Sequence, residues 1–418
     1  MSLVVQKFGG TSVGSIERIQ NVARWVLDTY EKGDDPVVVV SAMSGETNRL
    51  VSLAMQLNPI PFSPEYDLLI ASGEQVVVGL MTLAINTEAE KRGLLNGSKR
   101  AARGFLGHQV GIQTDSIYSK ARIQAIDTGI LRESIAQRVI PVIAGFQGVD
   151  QNNNITTLGR GGSDTSAVAI AAALRADECE IYTDVDGIYT TDPRLCSEAK
   201  KINRISYEEM MELASLGAKV LQIRSVELAA KYRLPLHVRS SFSWVEGSRV
   251  VAKEDLGEKM EEVLVAGVTA DTAQVKFTLQ NLPHQPGVVA QVFNELSGAA
   301  IVVDVIVQDI AASGLLTLSF TVAKTDFLNT RKVLERLRQG ELKLMQVVEE
   351  ENLAKVSIVG VGMQHHPGVA SKMFSLLAQN GILIKLITTS EIKISCLIAE
   401  IEMKKAVECL HRGFGCGQ

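Results

Sequence analysis

Long apolar runs and clusters of charge are missing from this sequence of 418 residues. No stretch of about 18 or more apolar residues occurs, which argues against a membrane-spanning helix. The first residues, Met1 to Lys7, lack the basic and long apolar segments of a secretory signal, so none is expected. Lysine and arginine are scattered and the formal net charge is -5, which gives no electrostatic footprint for nucleic acid or an anionic membrane. A small-molecule partner fits better.

Metal-binding and disulfide patterns are missing too. The five cysteines include no CxxC pair, and no histidine lies at a zinc-site spacing from them. An odd, unpatterned set of cysteines is typical of reduced thiols, so we expect a cytoplasmic protein. Neither His108 nor His237 belongs to a catalytic constellation, and both are expected to be structural or solvated.

The chain has enough hydrophobic residues, 46%, to bury more than one core, and its length predicts two or three domains. Over residues 1–245 short apolar runs alternate with helical periodicity. The alternation predicts an α/β domain with a mainly parallel central sheet, and the glycine- and charge-rich stretch after it predicts a linker at 246–263. Strands are predicted at Leu3–Phe8, Val37–Val40, Val139–Ala144 and Glu180–Thr183, and helices at Ile16–Tyr30, Ser163–Leu174 and Tyr207–Ala214.

An internal repeat organises the rest of the chain. Pro286-Gly287-Val288 recurs as Pro367-Gly368-Val369, and the apolar positions that follow each turn recur with the same spacing. Each copy has a strand before the turn, at Gln274–Leu279 or Ala354–Val359, then a helix and further strands. A unit of this kind is a small α+β module, typically stable when its sheet pairs with another copy. The repeat predicts two regulatory or dimerising modules, at 264–345 and 346–418.

A glycine-rich turn follows the first predicted strand, in Lys7-Phe8-Gly9-Gly10-Thr11-Ser12. Glycines let backbone N–H groups approach phosphate oxygens, and a neighbouring lysine supplies positive charge for a phosphoryl group in transfer. The GxxxxGK[ST] spacing of a Walker A motif is absent. On the local pattern alone, a phosphate site and a plain turn both stay open.

A second glycine-rich run, Thr156 to Thr165, leads into a predicted helix. In the plainer interpretation, Ser163 or Asp164 only caps that helix. Capping does not require three glycines around an arginine, however. Arg160 offers a planar fork for a carboxylate, and Asp164 offers a counter-charge for an ammonium group. The loop therefore suits a zwitterionic amino acid.

An aspartate-rich segment, Tyr182 to Arg194, follows a strand at the edge where open α/β sheets carry ligands. It lacks the closing glutamate and the helical flanks of an EF-hand. Nucleotide contact is the sharper hypothesis, whereas spacing alone favours an ordinary turn.

In combination these motifs resemble those of aspartokinases. The chain also has Ser41 to Asn48, Ser72 to Gln75 and Gly145 to Gly148 in the family's order, and its repeat is similar to tandem ACT domains. The resemblance covers essentially the whole chain. It implies an amino-acid-kinase fold followed by two ferredoxin-like ACT modules. The implied activity is the ATP-dependent conversion of L-aspartate to 4-phospho-L-aspartate, the first step of the pathway to lysine, threonine, methionine, isoleucine and diaminopimelate.

The resemblance also implies roles for individual residues. Lys7 and Asp164 would be catalytic, Arg160 would bind a substrate carboxylate, and Glu74 and Asp164 would hold the ammonium or order the site. Mg²⁺ would be held mainly through the nucleotide phosphates, with no metal ligand from the protein. The full substrate set is Thr47, Glu74, Arg160, Gly161, Gly162 and Ser163, and the nucleotide set is Lys7, Phe8, Gly9, Gly10, Ser41, Thr183, Asp184, Tyr189, Thr190, Thr191, Asp192, Pro193, Arg194 and Lys219.

The chemistry of the implied reaction agrees with these residue types. An aspartate side chain has a reference pKa of about 3.9, so the nucleophile is ionised at neutral pH and needs no general base. The barrier is the repulsion between a carboxylate and a polyphosphate. The site should therefore be rich in positive charge and N–H donors, which Lys7, Arg160 and the glycine loops supply.

The repeat departs from the family at one place. Many aspartokinases carry Ile-Asn-Ile after the first ACT helix, and its amide contacts a lysine or threonine effector at the interface between modules. Here Val302 and Leu383 stand at the amide position, and His284 stands where an aspartate is common. Two hypotheses stay open: altered feedback by lysine or threonine, which we favour, or modules that mainly hold a homodimer or tetramer together.

Two other functions are weighed against this interpretation. A related kinase of the same fold, acting on glutamate, acetylglutamate or a nucleotide, is disfavoured by the repeat and by the Arg160 to Asp164 loop. A catalytically silent amino-acid sensor is disfavoured because Lys7 and Glu74 are retained. The chain ends at Gln418 soon after the repeat, so we expect a monofunctional kinase; an internal start of a regulatory subunit near Met260 stays an alternative.

Overall fold

A computed structural model describes residues 1–58, 62–95, 100–216, 220–256, 265–340, 342–343 and 345–417, without the side chains of residues 364 and 365. The chain divides into two compact units. The first comprises Met1–Tyr189 and Lys201–Met260, and the second comprises Thr190–Lys200 and Glu261–Gln418. Met260 itself, near which an internal start stayed an alternative, lies outside the described residues.

The first unit is built around an eight-stranded sheet that is mainly parallel, as predicted. Its strand order is β12-β14-β13-β9-β1-β2-β6-β3; among the described pairings, β13 with β14 is antiparallel and the others are parallel. A four-stranded sheet has the order β5-β4-β7-β8, and β10 pairs with β11. The strands are β1 (Leu3–Phe8), β2 (Asp35–Val40), β3 (Ala102–Phe105), β4 (Ile112–Thr114), β5 (Ile123–Ile126), β6 (Ile140–Ala144), β7 (Gln147–Val149), β8 (Ile155–Thr157), β9 (Glu178–Thr183), β10 (Ile188–Tyr189), β11 (Lys201–Ile202), β12 (Arg204–Ser206), β13 (Leu236–Ser240) and β14 (Ser248–Val251).

Among its described residues this unit has eight α-helices, and each of the three predicted helices is among them. The first begins after Ser15, whose hydroxyl accepts a hydrogen bond from the Arg18 N–H and so caps the helix. The helices are α1 (Ile16–Glu31), α2 (Glu46–Leu57), α3 (Pro64–Ile70), α4 (Ser72–Lys91), α5 (Gly129–Ala136), α6 (Gly162–Leu174), α7 (Tyr207–Ser215) and α8 (Ile223–Tyr232), with short 3-10 helices at Gly107–Val110 and Lys253–Leu256.

The core of the first unit lies against the middle strands of the large sheet. All five residues from Pro36 to Val40 in β2 are buried, and so are all five residues of β6. Strands of a parallel sheet covered on both faces carry such continuous apolar runs, which is why these strands could be recognised in the sequence. One apolar face of α1, including Ile19, Val22 and Val26, packs into the same core.

The helical stretch Pro64–Lys91, which contains α3 and α4, is long and apolar enough to cross a membrane by length and composition. Its residues Val77, Met81 and Ile85 pack into the core of the first unit instead. A core helix of a soluble protein passes the same test of length and composition, so the stretch is weak evidence for a membrane span.

The second unit contains one six-stranded sheet in the order β16-β17-β15-β18-β20-β19. Its two long central strands are antiparallel neighbours, and each begins one copy of the repeat. The two copies therefore share one continuous sheet. The strands are β15 (Gly267–Pro283), β16 (Val303–Ile310), β17 (Leu315–Ala323), β18 (Gln346–Val359), β19 (Leu386–Thr389) and β20 (Lys393–Ala399); the helices are α9 (Val288–Gly298), α10 (Phe327–Gln339), α11 (Val369–Gln379) and α12 (Met403–Gly413), with 3-10 helices at Lys324–Asp326, Val361–His365 and Glu400–Glu402.

The predicted repeat is confirmed at its Pro-Gly turns. Gly287 precedes α9 with φ of 96°, and Gly368 precedes α11 with φ of 98°. A residue with a side chain rarely adopts this left-handed conformation, so the same glycine recurs for the same physical reason. Each copy has its own core, with Phe277 and Phe320 in the first and Ile358 and Met373 in the second.

The predicted domain limits, 1–245, 246–263, 264–345 and 346–418, differ from the structure at three places and stay a prediction. Residues Thr190–Lys200 belong to the second unit rather than the first. The predicted linker contains β14, which pairs inside the large sheet. Val265 precedes β15 and Val268 lies at its start, in the first repeat copy, yet both belong to the core of the second copy.

Candidate active site

Four parallel strands of the large sheet end at one edge, and the candidate site lies on the loops that follow them. These strands, β1, β2, β6 and β9, end at Phe8, Val40, Ala144 and Thr183. Backbone hydrogen bonds join the loops: the Gly9 N–H donates to the Tyr182 carbonyl (3.2 Å), and the Gly145 N–H donates to the Val40 carbonyl (3.0 Å). The carboxyl edge of a parallel sheet is where α/β folds bind ligands.

The loop after β1 leaves no room for a side chain at Gly10 and little at Gly9. A Cβ atom on Gly10 would lie 2.9 Å from the Ala42 carbonyl oxygen, and one on Gly9 would lie 3.2 Å from the Lys7 Nζ atom. The Ser44 N–H also donates to the Gly10 carbonyl at 3.2 Å. The turn is therefore packed tightly against the loop after β2, and its backbone is open to close approach by a phosphate.

Lys7 and Asp164 form a buried ion pair in which Nζ lies 2.6 Å from Oδ1, with side-chain exposures of 10% and 12%. Asp164 lies in the first turn of α6, where the helix dipole favours negative charge. Burial of an unpaired charge is costly, so each of these two buried charges depends on the other as its partner. The structure thus brings together the two residues predicted to be catalytic, although 157 positions separate them.

The glycines before α6 are required by close packing. Gly161 precedes the helix with φ of 70°, and a Cβ atom there would lie 1.8 Å from Cγ of Gln222. A Cβ atom on Gly162 would lie 2.8 Å from the Phe146 ring. These contacts explain why the loop carries glycines that helix capping alone does not need.

Glu74 is almost fully buried, with 3% exposure, at the start of α4. Its Oε1 atom accepts a hydrogen bond from the Ala42 N–H at 3.0 Å, and its Oε2 atom has no partner among the described residues. Burial raises the pKa of the Glu74 carboxyl to about 7, although the bond from Ala42 opposes this effect. The site therefore contains a buried carboxyl that is near half ionisation at neutral pH.

Arg160 differs from these groups because its side chain is exposed and makes no hydrogen bond or ion pair with the part of the chain that the structure describes. Its guanidinium is thus available to a ligand. Ser41 and Thr47 are half-buried, whereas Ser163 is buried. The Phe8 side chain is fully buried and stacks on Tyr182 with 4.7 Å between ring centroids, so Phe8 can offer a nucleotide only its backbone.

The aspartate-rich segment is divided between the two units. Thr183, Asp184 and Tyr189 lie in the first unit, where the Tyr189 hydroxyl donates to Asp186 at 2.9 Å. In the second unit, the Thr190 hydroxyl lies 2.8 Å from Nε2 of His411. Five residues of the segment belong to the second unit: Thr190, Thr191, Asp192, Pro193 and Arg194. Nucleotide contact by this segment stays a prediction.

Lys219, also predicted to contact the nucleotide, lies outside the described residues.

Two residues that position the Thr156 to Thr165 loop were not predicted. Asp67 in α3 is fully buried and accepts hydrogen bonds from the N–H and hydroxyl groups of both Ser119 and Thr157, at 2.6–3.1 Å. Burial raises the pKa of the Asp67 carboxyl, and these hydrogen bonds oppose that effect. Arg224 donates to the Leu158 carbonyl at 2.6 Å. The sequence feature that could have drawn attention to Asp67 is its position directly before the apolar run Leu68-Leu69-Ile70.

Comparisons with known proteins agree with this arrangement. The amino acid kinase family matches residues 2–240, and an ACT domain matches residues 356–414. An aspartokinase of Pseudomonas aeruginosa is 48% identical over 414 residues, covering 99% of this chain and 98% of that protein.

Solved structures give the same result. Aspartokinase III of E. coli in complex with aspartate and ADP (R-state) has a TM-score of 0.80 and 27% identity, covering 98% of this chain and 99% of that one. The same enzyme in complex with lysine and aspartate (T-state) has a TM-score of 0.77 and 27% identity, covering 99% of each chain. By its likeness over the whole length, the chain belongs to the aspartokinase family and is an aspartate kinase, which transfers a phosphoryl group from ATP to the side-chain carboxylate of L-aspartate.

Proposed function

We propose that the carboxyl edge of the large sheet is the catalytic site of this aspartate kinase, with Lys7 and Asp164 at its centre. The observation that carries this proposal is their buried ion pair, 2.6 Å long, beside the tight Gly9-Gly10 turn. A buried ammonium held by one carboxylate keeps a fixed position, and it does not have to reorganise when charge develops on a phosphoryl group.

Aspartate binding uses the two charged groups that the protein leaves available. The exposed Arg160 guanidinium binds the α-carboxylate through its planar fork. The Oε2 atom of Glu74, which lacks a partner among the described residues, accepts from the ammonium group. Thr47 and the backbone of Gly161, Gly162 and Ser163 line the remainder of the pocket. The side-chain carboxylate of the substrate is then free to face the nucleotide.

In the transfer step, an oxygen of the substrate side-chain carboxylate attacks the terminal phosphorus of ATP. The bond between that phosphorus and the bridging oxygen breaks, and ADP leaves with the electron pair. Lys7 stabilises the charge on the transferring group, and Asp164 holds the Lys7 side chain in place. Because the carboxylate is already ionised, no residue has to remove a proton.

The nucleotide lies along the backbone of Phe8, Gly9 and Gly10, with Ser41 on the neighbouring loop. Gly10 is only partly buried and has no side chain, so its backbone can approach a phosphate, whereas the Gly9 N–H already donates to the Tyr182 carbonyl. Mg²⁺, held mainly by the nucleotide phosphates, would reduce their negative charge when it is bound. The rest of the proposed set is Thr183, Asp184, Tyr189, Thr190, Thr191, Asp192, Pro193, Arg194 and Lys219.

The second unit is proposed to carry feedback regulation and assembly. E. coli aspartokinase III has been solved with lysine, which makes lysine, alone or with threonine, the effector to test. Val302 and Leu383 are 75% and 78% exposed, so the positions where relatives carry an amide present apolar side chains. We therefore propose altered feedback, in a cytoplasmic homodimer or tetramer assembled through the ACT modules.

A coupled assay of ADP release tests substrate and regulation together. The full-length protein is assayed with ATP and Mg²⁺ and with aspartate, glutamate, acetylglutamate or UMP as acceptor. Turnover is expected with aspartate and inhibition by lysine or threonine at millimolar concentration. Turnover of another acceptor with none of aspartate would refute the proposed pocket, and unchanged activity with both amino acids and their mixture would refute feedback. Sedimentation of the same sample measures the oligomeric state.

A further inference from the structure

Three potential metal ligands lie together on adjacent strands of the large sheet, away from the loops described above. Glu178 and Glu180 are on β9, and His237 on β13 is the register partner of Glu180. One ligand atom from each side chain can be chosen so that all three lie within 4.8 Å of one another. Their positions along the chain do not group them, because 57 positions separate Glu180 from His237.

His237 is the unusual member of this cluster. Its side chain is 2% exposed, and neither ring nitrogen has a hydrogen-bond partner among the described residues. Its Nδ1 atom lies 3.6 Å from Oε2 of Glu178 and 4.0 Å from Oε1 of Glu180. Hydrogen bonds between nitrogen and oxygen are about 2.7–3.2 Å long, so these spacings are too wide for direct bonds. A buried imidazole normally satisfies at least one nitrogen.

The two spacings from the imidazole suit a metal ion bound by Nδ1 of His237 and a carboxylate oxygen of Glu178 or Glu180. Zinc–nitrogen and zinc–oxygen bonds of about 2.0–2.2 Å put two ligand atoms about 3.4 Å apart at a tetrahedral angle and at most about 4.4 Å apart. The distances from Nδ1 to Glu178 and Glu180 fall within that range. One imidazole nitrogen and two carboxylate oxygens form a ligand set for Zn²⁺ or Mn²⁺ rather than for a soft metal.

The surrounding groups form a second shell around both glutamates. Glu178 accepts from Arg249 through Oε1, which leaves its Oε2 atom facing His237. Glu180 accepts from Arg239 through Oε1 at 2.6 Å. Carboxylates that bind metals are commonly hydrogen-bonded in this way.

The remaining contacts also match a metal ligand set. Gln6 and the Tyr182 hydroxyl donate to Oε2 of Glu180, at 2.8 and 3.0 Å. On the other side of the imidazole, Oε1 of Glu246 lies 3.6 Å from Nε2 of His237. Glu246 is exposed, so a small movement would let it accept a hydrogen bond from Nε2–H. That bond would fix the tautomer in which Nδ1 is free to bind a metal.

We propose that Glu178, Glu180 and His237 bind one divalent transition-metal ion inside the first unit. The site joins β9 to β13, and Glu180 lies three positions, about 10 Å of strand, before Thr183 at the carboxyl edge. The ion is therefore structural and is distinct from the Mg²⁺ that accompanies the nucleotide. The alternative is an imidazole that packs beside the carboxylates of Glu178, Glu180 and Glu246 without a metal ion.

Metal retention by the full-length protein distinguishes a metal-binding site from a site without metal. The protein is stripped with a chelator, dialysed against a small excess of Zn²⁺ or Mn²⁺ without nucleotide, and analysed for bound metal and melting temperature. The comparison uses His237→Gln and, as a matched control, His108→Gln, which replaces an exposed histidine of the same unit. We expect one ion per parent chain, the same for His108→Gln, and at least tenfold weaker binding with no metal-dependent rise in melting temperature for His237→Gln.

Equal retention by the parent and His237→Gln, or no stoichiometric retention by the parent, would overturn the proposal. If His237→Gln does not fold, Glu178→Gln gives the same decision, because Glu178 is partly exposed at the start of β9. Binding that survives in Glu178→Gln would also overturn the site. Aspartate kinase activity is measured alongside and is expected to be retained by His108→Gln.

Discussion

Replacing Glu74 by glutamine should make the first unit more stable at alkaline pH and weaken its binding of aspartate. Burial raises the pKa of the Glu74 carboxyl from about 4.5 to about 7, so the fold favours the neutral acid. Stability from this preference is fully present below pH 4.5 and is lost as the pH rises to 7. Glutamine resembles the neutral acid and keeps an oxygen that can accept from Ala42.

The size of the effect follows from the two pKa values. They differ by about 2.5 pH units, and each unit corresponds to about 1.4 kcal/mol. Ionised Glu74 should therefore reduce the free energy of unfolding by about 3 kcal/mol at pH 8 and by less than about 1 kcal/mol at pH 5. Glutamine removes this penalty, and it also removes the charge that holds the substrate ammonium, a contact worth about 1.5–3 kcal/mol.

Urea unfolding followed by tryptophan fluorescence measures the stability change. Both tryptophans, Trp25 and Trp244, lie in the first unit, so the signal reports on the unit that contains Glu74. We expect the unfolding midpoint of Glu74→Gln to exceed that of the parent at pH 8 and to be close to it at pH 5, with an unchanged slope. The exposed Glu17→Gln serves as control and should follow the parent at both pH values.

Kinetics supply the second half of the test. The aspartate KM of the parent should fall as pH rises through 7, because the ionised carboxylate binds the ammonium. In Glu74→Gln this dependence should disappear, and KM at pH 8 should be about ten- to a hundredfold higher. A glutamine variant with parental stability at pH 8 would contradict the burial of a charged carboxylate. One that keeps the parental KM and its pH dependence would contradict the proposed role in binding.

Four further substitutions have distinct expected outcomes. Lys7→Ala should lower kcat at least about tenfold with a modest change in aspartate KM, whereas Arg160→Ala should chiefly raise that KM, by about ten- to a hundredfold; a near-normal Arg160→Ala enzyme would leave the loop as a helix cap. Gly10→Ala should raise the KM for ATP, because the added Cβ would meet a carbonyl oxygen at 2.9 Å, while Gly79→Ala, which meets nothing within 4 Å, should not. Asp67→Asn should lower the free energy of unfolding by about 1–3 kcal/mol, measured by urea unfolding, since an amide cannot accept all the bonds that the carboxylate accepts.

The parts of the fold that could be predicted are those written in local patterns. Buried strands such as β2 and β6 appear as continuous apolar runs because both faces of the sheet are covered. The repeat could be recognised because Gly287 and Gly368 meet the same backbone requirement. Residues of the candidate site were selected by motif, and the structure brings Lys7 and Asp164 together as a pair.

What could not be predicted depends on contacts between distant segments. Nothing near Asp67 in the sequence indicates that it accepts from Thr157, 90 positions later. Residues Thr190–Lys200 belong to the second unit, where Cys196 enters the core of the second repeat copy. In the sequence this segment shows only a short apolar stretch. His237 was expected to be structural or solvated, and its burial beside two glutamates became visible only once β9 and β13 were paired.

The charges of the candidate site are divided in a way that suits an amino acid with a second carboxylate. Lys7 and Asp164 form an ion pair, which leaves the Oε2 atom of Glu74 and the Arg160 guanidinium without partners among the described residues. Under the proposed roles, one unpaired acid and one unpaired base bind the ammonium and α-carboxylate that every amino acid has. The second carboxylate of aspartate is then left to face the Lys7 ammonium, which Asp164 already holds. A carboxylate left weakly bound in this way keeps its nucleophilicity and is directed to the one cation that also contacts the phosphoryl group.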